Sequence, residues 1–434
     1  MAAARSYVLS QEYLSRAERI IPSGTQTFSK SRKIYPYGAS PYFITHGHGS
    51  HVWDVDGNEY VDLINGLATV TLGYNDADVT RAVEEQLQRG VMFSLSHPVE
   101  IQAAEMMVAL VPCAEMVRFA KNGSDATAGA IRLARAYTNR DHVAVCGYHG
   151  WQDWYIGSTS RNRGVPQATR AMTHTFNYND IDSLQSLFRE HPGEIAAVIL
   201  EPMTFLDPHP GYLESVKALT HKNGALLIFD EMVTGFRFAR GGAQEYFEVT
   251  PDLATFGKGL ANGYPLSAIT GRANVMQLMD EIFVSVTYGG EALSLAAAIA
   301  TMKKLDEAPV IEAMINSGRR LKSGVEHRIE LHQAGHILGI SGHPTWTTFF
   351  FKNVEGYTEW EIKTLFLQEV LARGVLTFGL QFTSYAHSEA DIDYILNVYD
   401  EVLPILKDAV DKRSLHKQLR CEPLISLFNV RKTQ

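Results

Sequence analysis

The feature that most constrains the fold is an apolar run that ends in two carboxylates, residues 226–231 (LLIFDE). Gly224 precedes this run and Gly235 follows it. A continuous apolar run between glycines is typical of a central strand in a parallel sheet, because such a strand is buried on both faces. Ligands of these sheets bind beyond the carboxyl ends of the strands. The run therefore places Asp230 at a ligand site.

Strands and helices alternate through the middle of the chain. The predicted strands are residues 116–120, 142–146, 195–200 and 225–230, and the predicted helices are residues 78–89, 100–110, 126–137 and 212–221. This alternation predicts an α/β fold with a mostly parallel central sheet.

The two ends of the chain follow a different pattern. Residues 10–20 are predicted to form a helix with Ser10 as its N-cap, and Asp56-Gly57 predicts the turn of an antiparallel hairpin. Beyond residue 310, longer helices are interrupted by short strands. We therefore predict a large domain of residues 66–310, an N-terminal segment of residues 1–65 with a small antiparallel hairpin, and a separate α+β domain of residues 311–434.

Charge and cysteine content exclude several classes of protein. The 434 residues carry a formal net charge of −9, which gives no sign of a nucleic-acid partner. The three cysteines are widely spaced and include no CxxC pair, so they support neither a zinc ribbon nor a disulfide scaffold. Because the sequence also lacks a signal-peptide core and a long apolar run, we expect a cytoplasmic protein without a membrane partner.

Histidines near the N-terminus do not form a recognisable metal site. His46, His48 and His51 follow one another across a glycine turn, and strand alternation places two of them on one face and the third on the other. No carboxylate or cysteine completes a ligand set there. We therefore predict no metal.

A lysine between two glycines, Lys258, is the second feature of the predicted site. Gly257 and Gly259 leave room for a bulky group to approach its amine. An amine and a carboxylate at one site indicate pyridoxal 5′-phosphate, whose aldehyde forms an imine with lysine and whose ring nitrogen is kept protonated by a carboxylate. The alternative for these two residues alone is a solvated lysine and a helix-capping Asp230.

Two further segments suit this cofactor. Gly123 and Ser124 follow a predicted strand and open a helix, where backbone N–H groups and a hydroxyl bind phosphate. Ser124 as a simple N-cap is the alternative, and Asp125 is expected to turn away from the anion. Tyr148 follows another strand and offers a flat surface for the cofactor ring, or else is a core aromatic.

Residues around Asp230 and Lys258 resemble the class III pyridoxal-phosphate-dependent aminotransferases. The resemblance rests on residues 226–242 (LLIFDEMVTGFRFARGG) and 251–266 (PDLATFGKGLANGYPL), and it is strongest to the glutamate-1-semialdehyde aminomutase branch. It implies the fold type I of pyridoxal-phosphate transferases, in which residues 1–65 and 311–434 together form a small α+β domain. It also implies that Lys258 holds the cofactor as an aldimine and that the amino group passes through a pyridoxamine form.

The resemblance implies roles for most of the remaining site residues. These are Gly123 and Ser124 at the cofactor phosphate, Tyr148 on one ring face and Met232 or Val233 on the other, Glu201 near the cofactor, and Thr287 at the phosphate of the other subunit. The last of these implies a homodimer with a shared active site.

Three departures from the family pattern concern the substrate. Lys30, with Thr27 close by, aligns with the aminomutase arginine that binds the substrate carboxylate. Lysine lacks the planar guanidinium group with which arginine binds a carboxylate through two hydrogen bonds. Gly290-Glu291-Ala292 replaces an Asn-Pro pair, and Gly379 aligns with a gating glutamate. These changes favour transfer from an amino donor such as glutamate to a separate carbonyl acceptor, over the intramolecular aminomutase reaction.

Residues 151–155 (WQDWY), beginning with Trp151, fit either a site for a hydroxylated or sugar-like aldehyde or a subunit contact. A protein that keeps the fold only for binding is a further alternative. The joint presence of Lys258, Asp230, Gly123 and Ser124 argues against it.

Overall fold

The computed structural model describes residues 5–426, which divide into two compact units. The central unit consists of residues 68–71 and 77–311. The terminal unit consists of residues 5–67, 72–76 and 312–426. Each unit has its own sheet structure and its own buried apolar core.

The strands, in chain order, are β1 (Ile44–His48), β2 (His51–Asp54), β3 (Glu59–Asp62), β4 (Met116–Ala120), β5 (His142–Cys146), β6 (Thr173–Thr175), β7 (Ile195–Leu200), β8 (Leu226–Asp230), β9 (Leu253–Phe256), β10 (Ser267–Gly271), β11 (Leu338–His343), β12 (Trp346–Phe351), β13 (Val375–Leu376) and β14 (Leu380–Phe382).

The longer helices are α1 (Val8–Ile20), α2 (Ala77–Leu87), α3 (Pro98–Leu110), α4 (Gly123–Thr138), α5 (Ile181–Glu190), α6 (Tyr212–Lys222), α7 (Ala292–Glu307), α8 (Val310–Leu331), α9 (Glu359–Ala372) and α10 (Glu389–Asp411). Shorter helical segments are Pro22–Gly24, Phe28–Lys30, Asn65–Ala68, Asp153–Ile156, Gln167–Ala171, Ala243–Tyr246, Lys258–Ala261, Ala273–Met276, Gln277–Asp280 and Leu415–Gln418. Across the described residues, none of the helices combines the length and apolar character needed to cross a bilayer.

The central unit is built on a seven-stranded sheet with the order β4-β10-β9-β8-β7-β5-β6. Strands β9, β8, β7, β5 and β6 run parallel to one another. Within the described chain, β10 alone runs in the opposite direction to the other strands of this sheet. The predicted α/β fold with a mostly parallel sheet is confirmed, and the apolar run that ends at Asp230 is its middle strand.

Helices cover both faces of this sheet, which explains the continuous apolar runs. Every residue of β7 and β8 is buried. Ile228 of β8 packs in one core with Leu133 of α4. The preceding residue, Leu227, packs in a second core with Val216 of α6. Since successive strand side chains point to opposite faces, a strand between two helical layers has to be apolar throughout.

The sheet brings the ends of several strands to one edge. Paired residues near the carboxyl ends of the parallel strands are Cys146 with Leu200, Leu200 with Phe229, and Asp230 with Thr255. Because β10 is antiparallel to both β9 and β4, strand β4 ends at the same edge. The loops after β4, β5, β7, β8 and β9 therefore start from this edge.

The terminal unit contains two smaller sheets, β1-β2-β3-β13 and β11-β12-β14. The predicted hairpin turn is confirmed between β2 and β3. Gly57 has a φ of +83°, and the Asp54 carboxylate accepts hydrogen bonds from the N–H groups of Asp56 and Asn58. A positive φ is the reason that glycine suits this position.

The predicted N-cap of the first helix is wrong. Helix α1 begins at Val8, two residues before Ser10, and Ser10 is buried within its first turns. The Asp56 carboxylate, from the hairpin turn, accepts hydrogen bonds from the N–H groups of Leu9 and Ser10 at 2.7 and 2.8 Å. A distant carboxylate therefore satisfies the free N–H groups that a local cap usually satisfies.

Candidate active site

A cavity of about 390 Å³ lies in the central unit at the edge where the parallel strands end. Most of the predicted site residues line it, namely Gly123, Ser124, Tyr148, Trp151, Glu201, Asp230, Val233 and Lys258. They come from five separate loops, and the sheet topology alone explains why they meet.

Asp230 is the last residue of β8 and is almost fully buried. One carboxylate oxygen lies 2.7 Å from Nδ1 of His149, and the other accepts a hydrogen bond from the Met232 N–H at 3.1 Å. Because a carboxylate only accepts, the proton of this His149 contact belongs on Nδ1. The alternative interpretation of Asp230 as a simple helix cap does not account for this buried pair.

His149 is a site residue to which the sequence assigned no role. Its side chain is fully buried, it lines the cavity, and Nε2 has no hydrogen-bond partner among the described residues. The Thr127 hydroxyl donates to its backbone carbonyl at 2.8 Å. The sequence signal that could have identified His149 is its position directly after Tyr148, beyond the end of a buried strand.

The amino-terminal end of α4 forms one wall of the cavity. Ser124 is buried there, and its hydroxyl oxygen accepts a hydrogen bond from the Trp151 N–H at 3.2 Å. Gly150 has a φ of +102°, and a Cβ at this position would overlap the Ser124 hydroxyl. The Asp125 carboxylate accepts from the Asn122 N–H at 2.9 Å and is outside the cavity lining, as expected.

Lys258 lies directly after β9 and opens the helical turn Lys258–Ala261. Its φ of +42° is in the left-handed region, which is uncommon for a residue with a side chain and is frequent at functional sites. A Cβ on Gly257 would lie 2.7 Å from the Met232 sulfur, and one on Gly259 would lie 2.5 Å from the Thr71 hydroxyl. The flanking glycines therefore allow close packing of the protein around the lysine.

Tyr148 and Glu201 are linked across the cavity wall. The Tyr148 N–H donates to the Glu201 carboxylate at 2.9 Å, and a Cβ on Gly147 would meet the same carboxylate at 2.5 Å. Burial, with Asp230 and Glu201 nearby, raises the pKa of the Tyr148 hydroxyl, so this group stays protonated. Glu201 thus lines the cavity, and its carboxylate also accepts a hydrogen bond from a neighbouring loop.

An ion pair that the sequence did not predict also reaches the cavity. The Lys121 ammonium lies 2.9 Å from the Glu291 carboxylate, and both side chains are mostly buried. Burial pushes the pKa of Glu291 up, but hydrogen bonds from Ser294 and Lys121 outweigh it and hold this pKa below its usual range. Glu291, which departs from the family pattern, is therefore a charged partner for a cavity lysine.

Only Trp151 of the segment 151–155 lines the cavity. Its side chain is 68% exposed, whereas Trp154 and Tyr155 are buried in the core of the central unit. The interpretation of the whole segment as the wall of a sugar-like substrate site is wrong for these two residues. Their apolar burial is a sufficient reason for the aromatic pattern.

Three predicted site residues, Thr27, Lys30 and Thr287, are not among the residues that line this cavity. Lys30 lines a cavity of about 510 Å³ within the terminal unit, where Thr27 precedes the helical turn Phe28–Lys30. Thr287 is exposed, in the segment between β10 and α7 of the central unit. Within the central unit, Thr287 is therefore outside the lining of the Lys258 cavity.

Residues 34–384 match the family model described as aminotransferase class III. The chain belongs to this family. A 3-aminobutyryl-CoA aminotransferase of Cloacimonas acidaminovorans (strain Evry) is 34% identical over 414 residues, which cover 93% of this chain and 98% of that protein. This class III aminotransferase chain is therefore a pyridoxal-phosphate-dependent transaminase.

Two solved structures share the fold of this aminotransferase. The FumI protein of Sphingopyxis sp. MTA144, solved in its PLP internal aldimine form, has a TM-score of 0.87 at 29% identity, over 95% of this chain and 98% of its own. An omega-transaminase from Sphaerobacter thermophilus has a TM-score of 0.83 at 26% identity, over 92% and 98%. Fold type I and pyridoxal 5′-phosphate as cofactor are thereby confirmed.

The cavity of this aminotransferase fits the cofactor chemically. A helix N-terminus with a buried hydroxyl suits a phosphate, a buried carboxylate suits a pyridinium nitrogen, and a primary amine suits an aldehyde. The buried Nε2 of His149, which has no partner among residues 5–426, is a polar atom available to a bound group or water.

Proposed function

We propose that this aminotransferase moves an amino group between two separate molecules, an amino donor and a carbonyl acceptor, with Lys258 as the reacting amine. The observation that carries this proposal is the convergence of Lys258, Asp230 and the start of α4 on one cavity. Family membership supplies the reaction class, and these residues supply the groups that the reaction needs.

Each residue of the cavity has a proposed task. When bound, pyridoxal 5′-phosphate supplies an aldehyde for the amino group and a ring that stabilises negative charge on the donor carbon. Asp230, oriented by His149, holds the ring nitrogen in its protonated form, and Lys258 takes the proton from the donor carbon and later returns a proton. The other tasks are phosphate binding for Gly123 and Ser124, ring contacts for Tyr148 and Val233, and positioning of the Tyr148 loop for Glu201.

We propose that the donor carries its amino group on the carbon β to an acyl group, as in a 3-aminoacyl thioester. The relative at 34% identity is named for 3-aminobutyryl-CoA. Lys121 and Lys258 are the cationic residues lining the central-unit cavity, and no arginine of the described chain lines it. The planar guanidinium of arginine often binds a free carboxylate through two parallel hydrogen bonds, whereas a thioester has no free carboxylate to bind.

Gly379 supports transfer between molecules over the aminomutase reaction. It aligns with the gating glutamate of the aminomutases and has a φ of +99°. A side chain at this backbone angle is strained, so the position suits glycine and not glutamate.

A homodimer in the cytoplasm is part of the proposal. Thr287 is exposed and outside the Lys258 cavity of its own central unit. This placement suits the family role of reaching the phosphate in a second subunit. In that arrangement each active site would need a residue from both chains.

Visible absorption of the cofactor-loaded protein tests the substrate proposal. We expect 3-aminobutyryl-CoA to convert the coloured form to the pyridoxamine form, and 3-oxobutyryl-CoA to restore it. Free 3-aminobutyrate, glutamate and alanine are the comparison donors, and Asp153→Asn, which changes an exposed residue outside the cavity lining, is the control protein.

Three other outcomes of this experiment have distinct meanings. Conversion by glutamate or alanine, without conversion by the thioester, would replace the 3-aminoacyl donor and leave the intermolecular reaction intact. Conversion by 4,5-diaminovalerate or glutamate-1-semialdehyde alone would support the aminomutase reaction instead. Conversion followed by recovery with a sugar-like aldehyde would support the hydroxylated acceptor.

A further inference from the structure

Three histidines cluster at the opposite end of β5 from the cavity. His142 is the first residue of β5, His174 lies in the neighbouring strand β6, and His191 follows the last residue of α5. The cavity begins beyond Cys146, so the rise of β5 alone places it roughly 13 Å from His142. The cluster is therefore not part of the active site.

The three imidazoles are close enough to share a ligand. One nitrogen from each lies within 4.8 Å of those of the other two. His142 Nδ1 is 2.8 Å from His174 Nε2, and the ring centres of His174 and His191 are 4.0 Å apart. Other groups of three such residues are not found within the described part of the chain.

A carboxylate borders the cluster and lies near two of its histidines. Glu194 lies in the turn before β7, and its carboxylate is 3.1 Å from His191 Nδ1 and 4.0 Å from His142 Nε2. The N–H of Glu194 donates to the His191 carbonyl, and the N–H of His142 donates to the Glu194 carbonyl. These backbone hydrogen bonds hold the main chains of His142, His191 and Glu194 next to one another.

We propose that His142, His174 and His191 bind a divalent transition metal ion, that Glu194 supports the site as the hydrogen-bond partner of His191, and that zinc is the ion best suited to it. Three imidazole nitrogens with a water in the fourth position are a ligand set that zinc accepts. With bonds of about 2.0–2.1 Å, the ligand atoms of such a site lie about 3.4 Å apart. The three nitrogens lie within 4.8 Å of one another, so the rings would have to move closer together when the ion binds.

The exposure of the cluster suits metal binding. The side chains of His142, His191 and Glu194 are all partly exposed, at 20%, 22% and 54%. An ion can therefore reach the cluster from solvent.

A bound ion would add a cross-link between neighbouring elements at one edge of the sheet. Strand β6 has three residues and is the outermost strand of the seven-stranded sheet. The ion would connect this strand to β5 and to the turn between α5 and β7. Because the ion binds only the folded arrangement of these elements, it would raise Tm.

Zinc titration of the untagged, chelator-treated and cofactor-loaded protein tests this proposal. We expect calorimetry with zinc chloride to give one ion per chain and zinc to raise Tm. His191→Asn should abolish the one-to-one binding, and Glu194→Gln should weaken it by at least about tenfold. His209→Asn, which changes an exposed histidine outside the cluster, should bind zinc as the unchanged protein does.

Two results would overturn the proposal. One is binding of zinc to His191→Asn with unchanged stoichiometry and affinity, which would place the ion elsewhere. Cys421→Ser then tests the partly exposed thiol as the true ligand. The other is the absence of one-to-one binding in the unchanged protein. An unchanged visible cofactor band in each variant shows that the variants are folded.

Discussion

Replacing Lys258 with alanine is expected to lower the rate of transamination by at least about 10⁴-fold. The amine is both the group that reacts with the cofactor aldehyde and the proposed proton carrier, and a positioned acid–base group alone contributes about 10²–10⁴-fold. The variant should still bind the cofactor, because the phosphate and ring-nitrogen contacts come from other residues lining the cavity. Stopped-flow absorption after addition of the donor measures the change.

A surface lysine provides the control for this variant. Lys303→Ala removes an exposed ammonium of α7 that pairs only weakly with Glu307, at 3.7 Å. It should keep the rate of the unchanged enzyme. Transamination by Lys258→Ala at more than about a hundredth of the normal rate would assign the reacting amine to another residue.

Replacing Asp230 with asparagine should lower kcat by about 10²–10³-fold, the usual loss when one preorganised electrostatic contact is removed. The shape of the side chain is kept, so this loss reports the negative charge at the buried end of β8. His149→Asn should give a smaller loss of about 10–100-fold, because His149 acts by orienting Asp230. Steady-state kinetics with saturating cofactor separates these losses from weaker cofactor binding.

Asp153→Asn is the matched control for the carboxylate, since it makes the same chemical change on an exposed side chain. It should leave kcat unchanged. A normal kcat for Asp230→Asn would contradict the role of this carboxylate. A loss in His149→Asn that equals or exceeds the loss in Asp230→Asn would show that His149 touches the cofactor or substrate itself.

The sequence was sufficient to predict the centre of the fold and of the site. Strand β8 is recognisable because it is apolar throughout, and parallel topology then places Asp230 at the ligand edge. Lys258 was found from its glycine neighbours and the surrounding family motif. These are local patterns, and no knowledge of distant contacts is needed to identify them.

Two consecutive strands on one side of β8, namely β9 and β10, were not predicted. Strand β9 has only four residues, and β10 has the sequence SAITG, whose small and polar residues give no apolar signal. Both are nonetheless fully buried. A Cβ on Gly129 of α4 would overlap Ile269 of β10 at 2.5 Å, which shows how closely the helix packs on this strand. Close packing selects small residues here, and it is a property of the tertiary structure.

The site residues that were missed depend on contacts between distant parts of the chain. His149 and Asp230 are 81 residues apart, and Lys121 and Glu291 are 170 residues apart. Neither pair has a local pattern, since their approach follows from the order of the strands and the start of α7. The three histidines of the proposed metal site are likewise distant in the sequence, at positions 142, 174 and 191.

The identity of the reacting lysine is the central claim, and borohydride reduction tests it most directly. Reduction fixes the cofactor to the amine that holds it, and proteolysis followed by mass spectrometry of the peptides locates the modification. We predict one pyridoxyl group per chain, on Lys258, and none in protein that was first converted by the amino donor. A pyridoxyl group on any other lysine of the unconverted protein would contradict this account.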